Sequence, residues 1–266
     1  MTRFVPAPEV IDRYLAWLQT PDTVLVGGQA VAYWAEHLGV TDGRPSITTD
    51  IDFYGMRADV EEVSARLGSL PHRVRLAGFD DFSVNSGTIV LHPTEQFEAL
   101  TVDYLHSVHG TSGSDLANRA LELDAGAFKL RIIHPAILLE SKVANLAAFT
   151  SKRDTFGVEQ CRLSCAIVSA FVRRYVGYSN ETRRAFLDLA ERVGRLSRTD
   201  ASHFVYHLFG IDVLSAVALD CVAPQEEFVT RRWPQLQTLA QERRLRFRSA
   251  LPEPLTLAAV ATRRFG

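Results

Sequence analysis

The sequence predicts a mixed α/β (α+β) first half, residues 1–134, followed by an all-α second half, residues 135–266. Three observations predict it. A short apolar run closed by Gly27-Gly28 leads straight into a helical pattern. Between Arg73 and Leu105 apolar residues come in short β-like runs separated by turn residues. Beyond Pro135 the spacing becomes helical and stays so.

The elements follow in order. Residues 8–19 place Val10, Tyr14, Trp17 and Leu18 on one helical face, with proline in the first turn. Thr23–Val26 reads as a strand and Gln29–Leu38 as a helix whose shared face is Val31, Trp34, Ala35 and Leu38. Ile47–Tyr54 is expected as a strand ending at Gly55, and Asp59–Leu67 as a helix. The runs VRLA, FSV, TIVLH and ALTVDYL are expected as strands, and Ser112 or Ser114 caps a short helix through Leu121. FKLRIIH is a strand stopped by Pro135. Helices are then expected to Phe149, over Val158–Tyr175 and Glu181–Val193, at about 200–209 and 212–221, and as a long basic helix at about 225–249. The tail from Leu251 is Pro- and Ala-containing and carries no firm pattern.

Composition narrows the function classes. Hydrophobic residues make up 47% and the formal net charge is −2, which excludes a dominantly disordered chain. No apolar run is long enough for a spanning helix, and the start MTRFVPAPEV lacks a secretion-type apolar segment, so no membrane partner is expected. Three cysteines without a CxxC pair point to a reducing cytoplasm rather than a disulfide framework. Residues 1–149 hold 11 basic against 19 acidic side chains, and residues 150–266 hold 18 against 12. That asymmetry fits a cation-holding first half and an anion-meeting second half, or two ordinary solvated faces.

The chemistry concentrates in LVGGQAVAYWAEHL and SITTDIDFYG. A strand ending in two glycines and feeding a helix leaves backbone N–H groups pointing outward, where an anion can approach closely. Alone it is a weak phosphate signal, since the third glycine of the dinucleotide fingerprint and the Gly-Lys-Ser/Thr of the P-loop are missing. Asp50 and Asp52 lie two apart, on one face if the strand spans both. An isolated Asp-x-Asp more often caps a strand end; beside a phosphate cradle, a divalent cation resolves the repulsion. Asp103, between Val102 and Tyr104, offers a third carboxylate on a second apolar run, or else a surface charge on an edge strand. Three strand-borne carboxylates beside a glycine turn suit metal-dependent phosphoryl transfer.

The order Gly-Gly, helix, Asp-Ile-Asp, later strand Asp resembles the DNA polymerase β-like nucleotidyltransferase superfamily. GGQAVAYWAEHL…TTDIDF is similar to its minimal bacterial branch, which includes AbiEii-type toxin nucleotidyltransferases. IIHPAILLESKVANLAAFTSKRDTFGVEQ resembles the segment after the catalytic sheet in that branch, and the resemblance covers roughly residues 20–165. It implies a nucleotidyltransferase-type mixed sheet flanked by helices with a helical C-terminal domain. It also implies Mg²⁺ or Mn²⁺ on Asp50, Asp52 and Asp103, and an NTP co-substrate met by Gly27, Gly28 and Gln29. Lys142, four after Leu138, matches a lysine near the triphosphate or the acceptor. The implied reaction moves an NMP to an acceptor hydroxyl on an RNA 3′ end, a protein or a small molecule. A toxin-like role with an antitoxin-like protein partner is implied as well. Where family toxins carry serine after the first glycine, Gly28 stands here; an aspartate motif after the lysine helix is represented only by Lys152, Arg153, Asp154 and Gln160.

Other candidates weigh less. His203 and His207 are one helical turn apart, but HFVYH lacks the glutamate of a zincin motif, so structural histidines are expected. Cys161 and Cys165 read as buried thiols. The paired arginines at 173–174, 183–184 and 231–232, and RRLRFR at 243–248, suit either RNA backbone or intramolecular ion pairs. The competing class is a non-catalytic nucleotide- or partner-binding protein of the same fold. A metal-dependent phosphohydrolase ranks last because its His/Asp cluster is missing.

Overall fold

The computed structural model describes residues 8–43, 45, 48, 50–78, 80–92, 99–126 and 128–250. The chain divides into two compact units, Met1–Ser141 and Lys142–Gly266.

In the first unit the strands are β1 (Val24–Val26), β2 (Ile51–Tyr54), β3 (His72–Leu76), β4 (Asn85–Leu91), β5 (Leu100–Leu105), β6 (Leu121–Asp124) and β7 (Lys129–Ile132). They form one mixed sheet in the order β3-β4-β5-β2-β1-β7-β6. The pairs β2–β5 and β1–β7 are parallel and the remaining neighbours antiparallel. Its helices are α1 (Pro8–Leu18), α2 (Gly27–His37), α3 (Arg57–Leu67) and α4 (Gly113–Arg119). The alternation of β2 and β5 buries Ile51, Phe53, Val102 and Tyr104 on one face. On that face Phe53 and Tyr104 stack with ring centroids 5.6 Å apart. The Tyr104 hydroxyl donates to the Leu18 carbonyl of α1 at 2.6 Å. Burial first, and the Asp59 carboxylate second, push the Tyr104 phenol far above its usual range, so it stays a donor. Trp34 of α2 is fully buried and donates Nε1–H to the Ile133 carbonyl at 2.9 Å. The opposite face carries Asp52, Asp103, Thr88 and Arg75, all half-buried or exposed.

Several boundaries differ from the sequence expectation for local reasons. Helix α2 begins at Gly27, because Gly27 turns with φ +70° directly out of the strand. Helix α3 begins at Arg57, two residues early, because Asp59 accepts from the Met56 N–H at 2.7 Å and so caps the turn. Strand β2 begins at Ile51, and Ile47 lies outside the described residues. FSV (82–84) is no strand; Phe82 and Val84 are exposed in the loop before β4. Leu121–Asp124 is a strand rather than a helix end, because its alternating side chains pair antiparallel with β7 across a tight turn. The tail 251–266 lies outside the described residues.

The described part of the second unit is helical. Helix α5 (Pro135–Ala148) runs into it, followed by α6 (Thr155–Phe171), α7 (Arg183–Leu196), α8 (Asp200–Phe209) and α9 (Trp233–Ala250). Asp154 caps α6 by accepting from the Gly157 N–H at 2.8 Å, and Gly210 closes α8 in the left-handed region at φ +66°. The expected helix over 212–221 is two 3₁₀ turns, Val213–Ala216 and Leu219–Cys221; Asp212 caps the first by accepting from the Leu214 N–H. Phe186 packs edge-on against Tyr178 and Phe228. Many of the basic side chains are used internally: Arg232 with Glu191, Arg173 with Asp220 at 2.7 Å, and Arg244 with Asp212. Arg244 is 7% exposed and lies 3.9 Å over the Tyr206 ring. Among the described residues no single helix is long and apolar enough to cross a membrane.

His203 of α8 is 1% exposed, and neither ring nitrogen has a well-formed hydrogen bond among the described residues. Burial first, and the Arg244 cation second, hold its pKa below the usual 6.5. The unfolded ring therefore takes up a proton at a higher pH than the folded one. Full stability is present above about pH 6.5 and falls as pH drops toward the folded-state value. Urea midpoints across pH 5–8 are expected to show this acid-side loss in the parent chain and a flatter profile in His203→Leu. In the first unit, Phe53→Ala is expected to cost about 3–5 kcal/mol in urea unfolding, because a stacked, fully buried ring is lost.

Candidate active site

The site begins at the end of β1. Val26, the residue before α2, caps no helix N–H with its side chain, and the first turn of α2 contains no acidic residue. The N–H groups of Gly27, Gly28 and Gln29 thus open the helix without intrahelical acceptors. Both glycines are required by their surroundings. A Cβ on Gly27 would stand 2.0 Å from Asp52 Oδ2, and one on Gly28 would stand 2.6 Å from Thr48 Cβ. The helix opening, with its positive dipole end, is therefore packed directly against a carboxylate.

The sheet register extends this contact into a row. Val26 of β1 pairs with Asp52 of β2, Asp52 with Asp103 of β5, Asp103 with Thr88 of β4, and Thr88 with Arg75 of β3. Register partners point to one side of a sheet and stand about 5 Å apart from strand to strand. Asp52 and Asp103 are therefore side by side on the face opposite Phe53 and Tyr104. Asp103 is held by neutral donors: Thr88 Oγ1 at 2.6 Å and Asn85 Nδ2 at 3.1 Å, both onto Oδ1. Asn85 reaches it because a β-bulge falls between Asn85 and Gly87. The bulge turns Ser86 toward the other side, where its hydroxyl donates to the Gly55 carbonyl at 2.9 Å.

The remaining expected residues fall differently. Asp50 lies in the bend before β2, exposed, so strand parity does not govern its direction. Gln29 is 2% exposed, which leaves its backbone N–H rather than its side chain as the group offered at the helix opening. Lys142 belongs to the second unit, where it is 8% exposed and donates to Gln160 Oε1 at 2.8 Å. Cys161 and Cys165 are buried; burial pushes the Cys165 thiol up to about 12, so neither serves as a thiolate nucleophile. His106 is exposed just beyond β5.

Among the described residues no set of three His, Cys, Asp or Glu side chains forms a metal cage. Asp52 and Asp103 form a carboxylate pair beside the uncapped helix opening and could hold a divalent cation, since Mg²⁺ takes a few carboxylates together with substrate oxygens and water. Sequence reasoning missed Thr88 and Asn85. Thr88 shows only as a polar residue in an apolar run, and Asn85 depends on a bulge that no periodicity announces.

Gly27→Ala is expected to destabilise the chain by about 1–2 kcal/mol through its positive φ alone. The contact with Asp52 adds to that cost, and Gly27→Ala/Asp52→Ala should recover the part due to the carboxylate in a urea double-mutant cycle, the Asp52 Cβ at 2.9 Å remaining. No known protein family's model matches the chain, and no curated protein matches it significantly.

Proposed function

We propose that the chain is a nucleotidyltransferase of the DNA polymerase β-like type, moving an NMP from an NTP to an acceptor hydroxyl with release of pyrophosphate. The observation that carries this reading is the register pair Asp52–Asp103, with Asp52 packed against the uncapped opening of α2 at Gly27. The mixed sheet with helices on the Phe53 face and carboxylates on the other suits that fold type. In this reading the helical second unit is its C-terminal accessory domain.

The N–H groups of Gly27, Gly28 and Gln29 bind the triphosphate oxygens. Asp52 and Asp103, with Asp50, would hold Mg²⁺ or Mn²⁺, whose chemistry there is to neutralise the triphosphate and acidify the attacking hydroxyl. Asp103 Oδ2, opposite the oxygen held by Thr88 and Asn85, takes the proton of the acceptor hydroxyl. The acceptor oxygen bonds to the α-phosphorus as the bond to the β-phosphate oxygen breaks. Its electron pair leaves with pyrophosphate. The assignment of Lys142 to the triphosphate, a toxin-like role and an antitoxin-like partner rest on the resemblance alone.

A transfer assay with each α-labelled NTP, Mg²⁺ or Mn²⁺, and total RNA or the protein itself as acceptor tests the reading. Label on an acceptor, reduced at least about a hundredfold in Asp52→Asn, is expected. Undiminished transfer by Asp52→Asn would sink it. A second reading is nucleotide binding without turnover at the same helix opening and carboxylate pair. Metal-dependent NTP binding with no labelled product would select it. Thr88→Val removes one of the two donors that orient Asp103. It is expected to lower kcat about tenfold with little change in the KM for NTP, read in the same assay.

A further inference from the structure

Asp103 sits one strand from Thr88 and two from Arg75 along a single row on the carboxylate face. Arg75 and Arg73 occupy the outward positions of β3, both exposed, and neither makes a hydrogen bond or ion pair among the described residues. Two residues along a strand separate their Cα atoms by about 7 Å. Beside Arg75 lies a small cleft of about 90 Å³ whose walls include Ser83, Asn85 and Thr88. That volume admits one tetrahedral anion. Asp81 also lines it, but its Oδ2 is turned to the Gly78 N–H, which donates to it at 2.8 Å. The Thr88 proton is committed to Asp103, so the cleft offers a guanidinium, the Ser83 hydroxyl and the Asn85 amide.

Asn85 and Thr88 belong both to this cleft and to the hydrogen bonds on Asp103 Oδ1. An anion seated by Arg75 is therefore one side chain away from the carboxylate assigned to the acceptor's proton. Arginine on an edge strand also discourages sheet-to-sheet pairing, a role that needs neither the cleft nor its neighbours.

We propose that Arg75, with Ser83 and Asn85 and with Thr88 as a wall, is a phosphate subsite that selects an acceptor bearing a phosphate close to its reacting hydroxyl. Arg73 is placed to meet a second phosphate farther along the same strand. The proposal rests on the transferase reading for the word acceptor, and on the cleft and register alone for the anion. It disfavours an unmodified protein hydroxyl and an uncharged small molecule.

The test uses the full chain, with Arg75→Gln and Arg75→Lys, and measures equilibrium binding at low salt. The probes are a mixed-sequence single-stranded RNA, the same sequence with an uncharged methylphosphonate backbone, and ribose 5-phosphate. Affinity for RNA, for ribose 5-phosphate or for both is expected to fall about tenfold in Arg75→Gln and to recover partly in Arg75→Lys. The uncharged oligomer should not distinguish the three proteins. A response confined to RNA identifies a diester in a strand, and one confined to ribose 5-phosphate identifies a monoester. Unchanged affinity for both charged probes in Arg75→Gln, with or without new sheet-edge oligomers, overturns the subsite and leaves the transferase reading standing. Failure of the parent chain to bind any NTP overturns the transferase reading, and the probe affinities then judge the anion site by itself.

Discussion

Two carboxylates on adjacent strands at the same register repel each other, and the first unit is arranged around that repulsion. The apolar side of β2 and β5 fixes the register through Ile51, Phe53, Val102 and Tyr104, all fully buried. A slip of one residue would send this set to the open side and the aspartates into the core. The hydrophobic side thus holds Asp52 and Asp103 together against their charge. The open side answers the charge with what lies near: the dipole end of α2 at Gly27 and the donors Thr88 and Asn85.

The same constraint explains the two glycines. Only a residue without a Cβ lets the chain turn from β1 into α2 with its backbone against the Asp52 carboxylate. Any side chain there would fill the space between the helix opening and the carboxylates, which the proposed triphosphate must enter. Backbone conformation and chemistry therefore make one demand at Gly27, which is why a two-residue signal in the sequence carries so much structural information.

What the sequence makes legible is whatever repeats or punctuates. Helices α1, α2 and α5, strands β1 and β5, and the change of pattern at Pro135 are all readable from spacing and from glycine or proline. The Asp52–Asp103 pairing is half legible: each aspartate is visible as a charge between apolar neighbours, but their register is a property of two distant segments. Strand β6 escapes because four alternating residues beside a helix pattern look like the end of that helix. Asn85 escapes because one extra residue in β4 reverses its side, and periodicity assumes no extra residues. The 3₁₀ turns at 213–221 escape because apolar residues at helical spacing do not reveal that Asp212 and Val217 interrupt the ladder.

The strand order also bears on how the molecule assembles. Hairpins β3–β4 and β6–β7 join neighbours in the chain, whereas β2 meets β5 and β1 meets β7 only across long connections. Closing those connections costs entropy that local hairpins do not incur, so the parallel seams are expected to zip after the hairpins. The aspartate pair straddles one such seam. The pair is therefore expected to form late, together with the apolar side of the seam. Until that seam closes Asp52 and Asp103 stay apart, so the carboxylate pair and the sheet of the first unit are completed together.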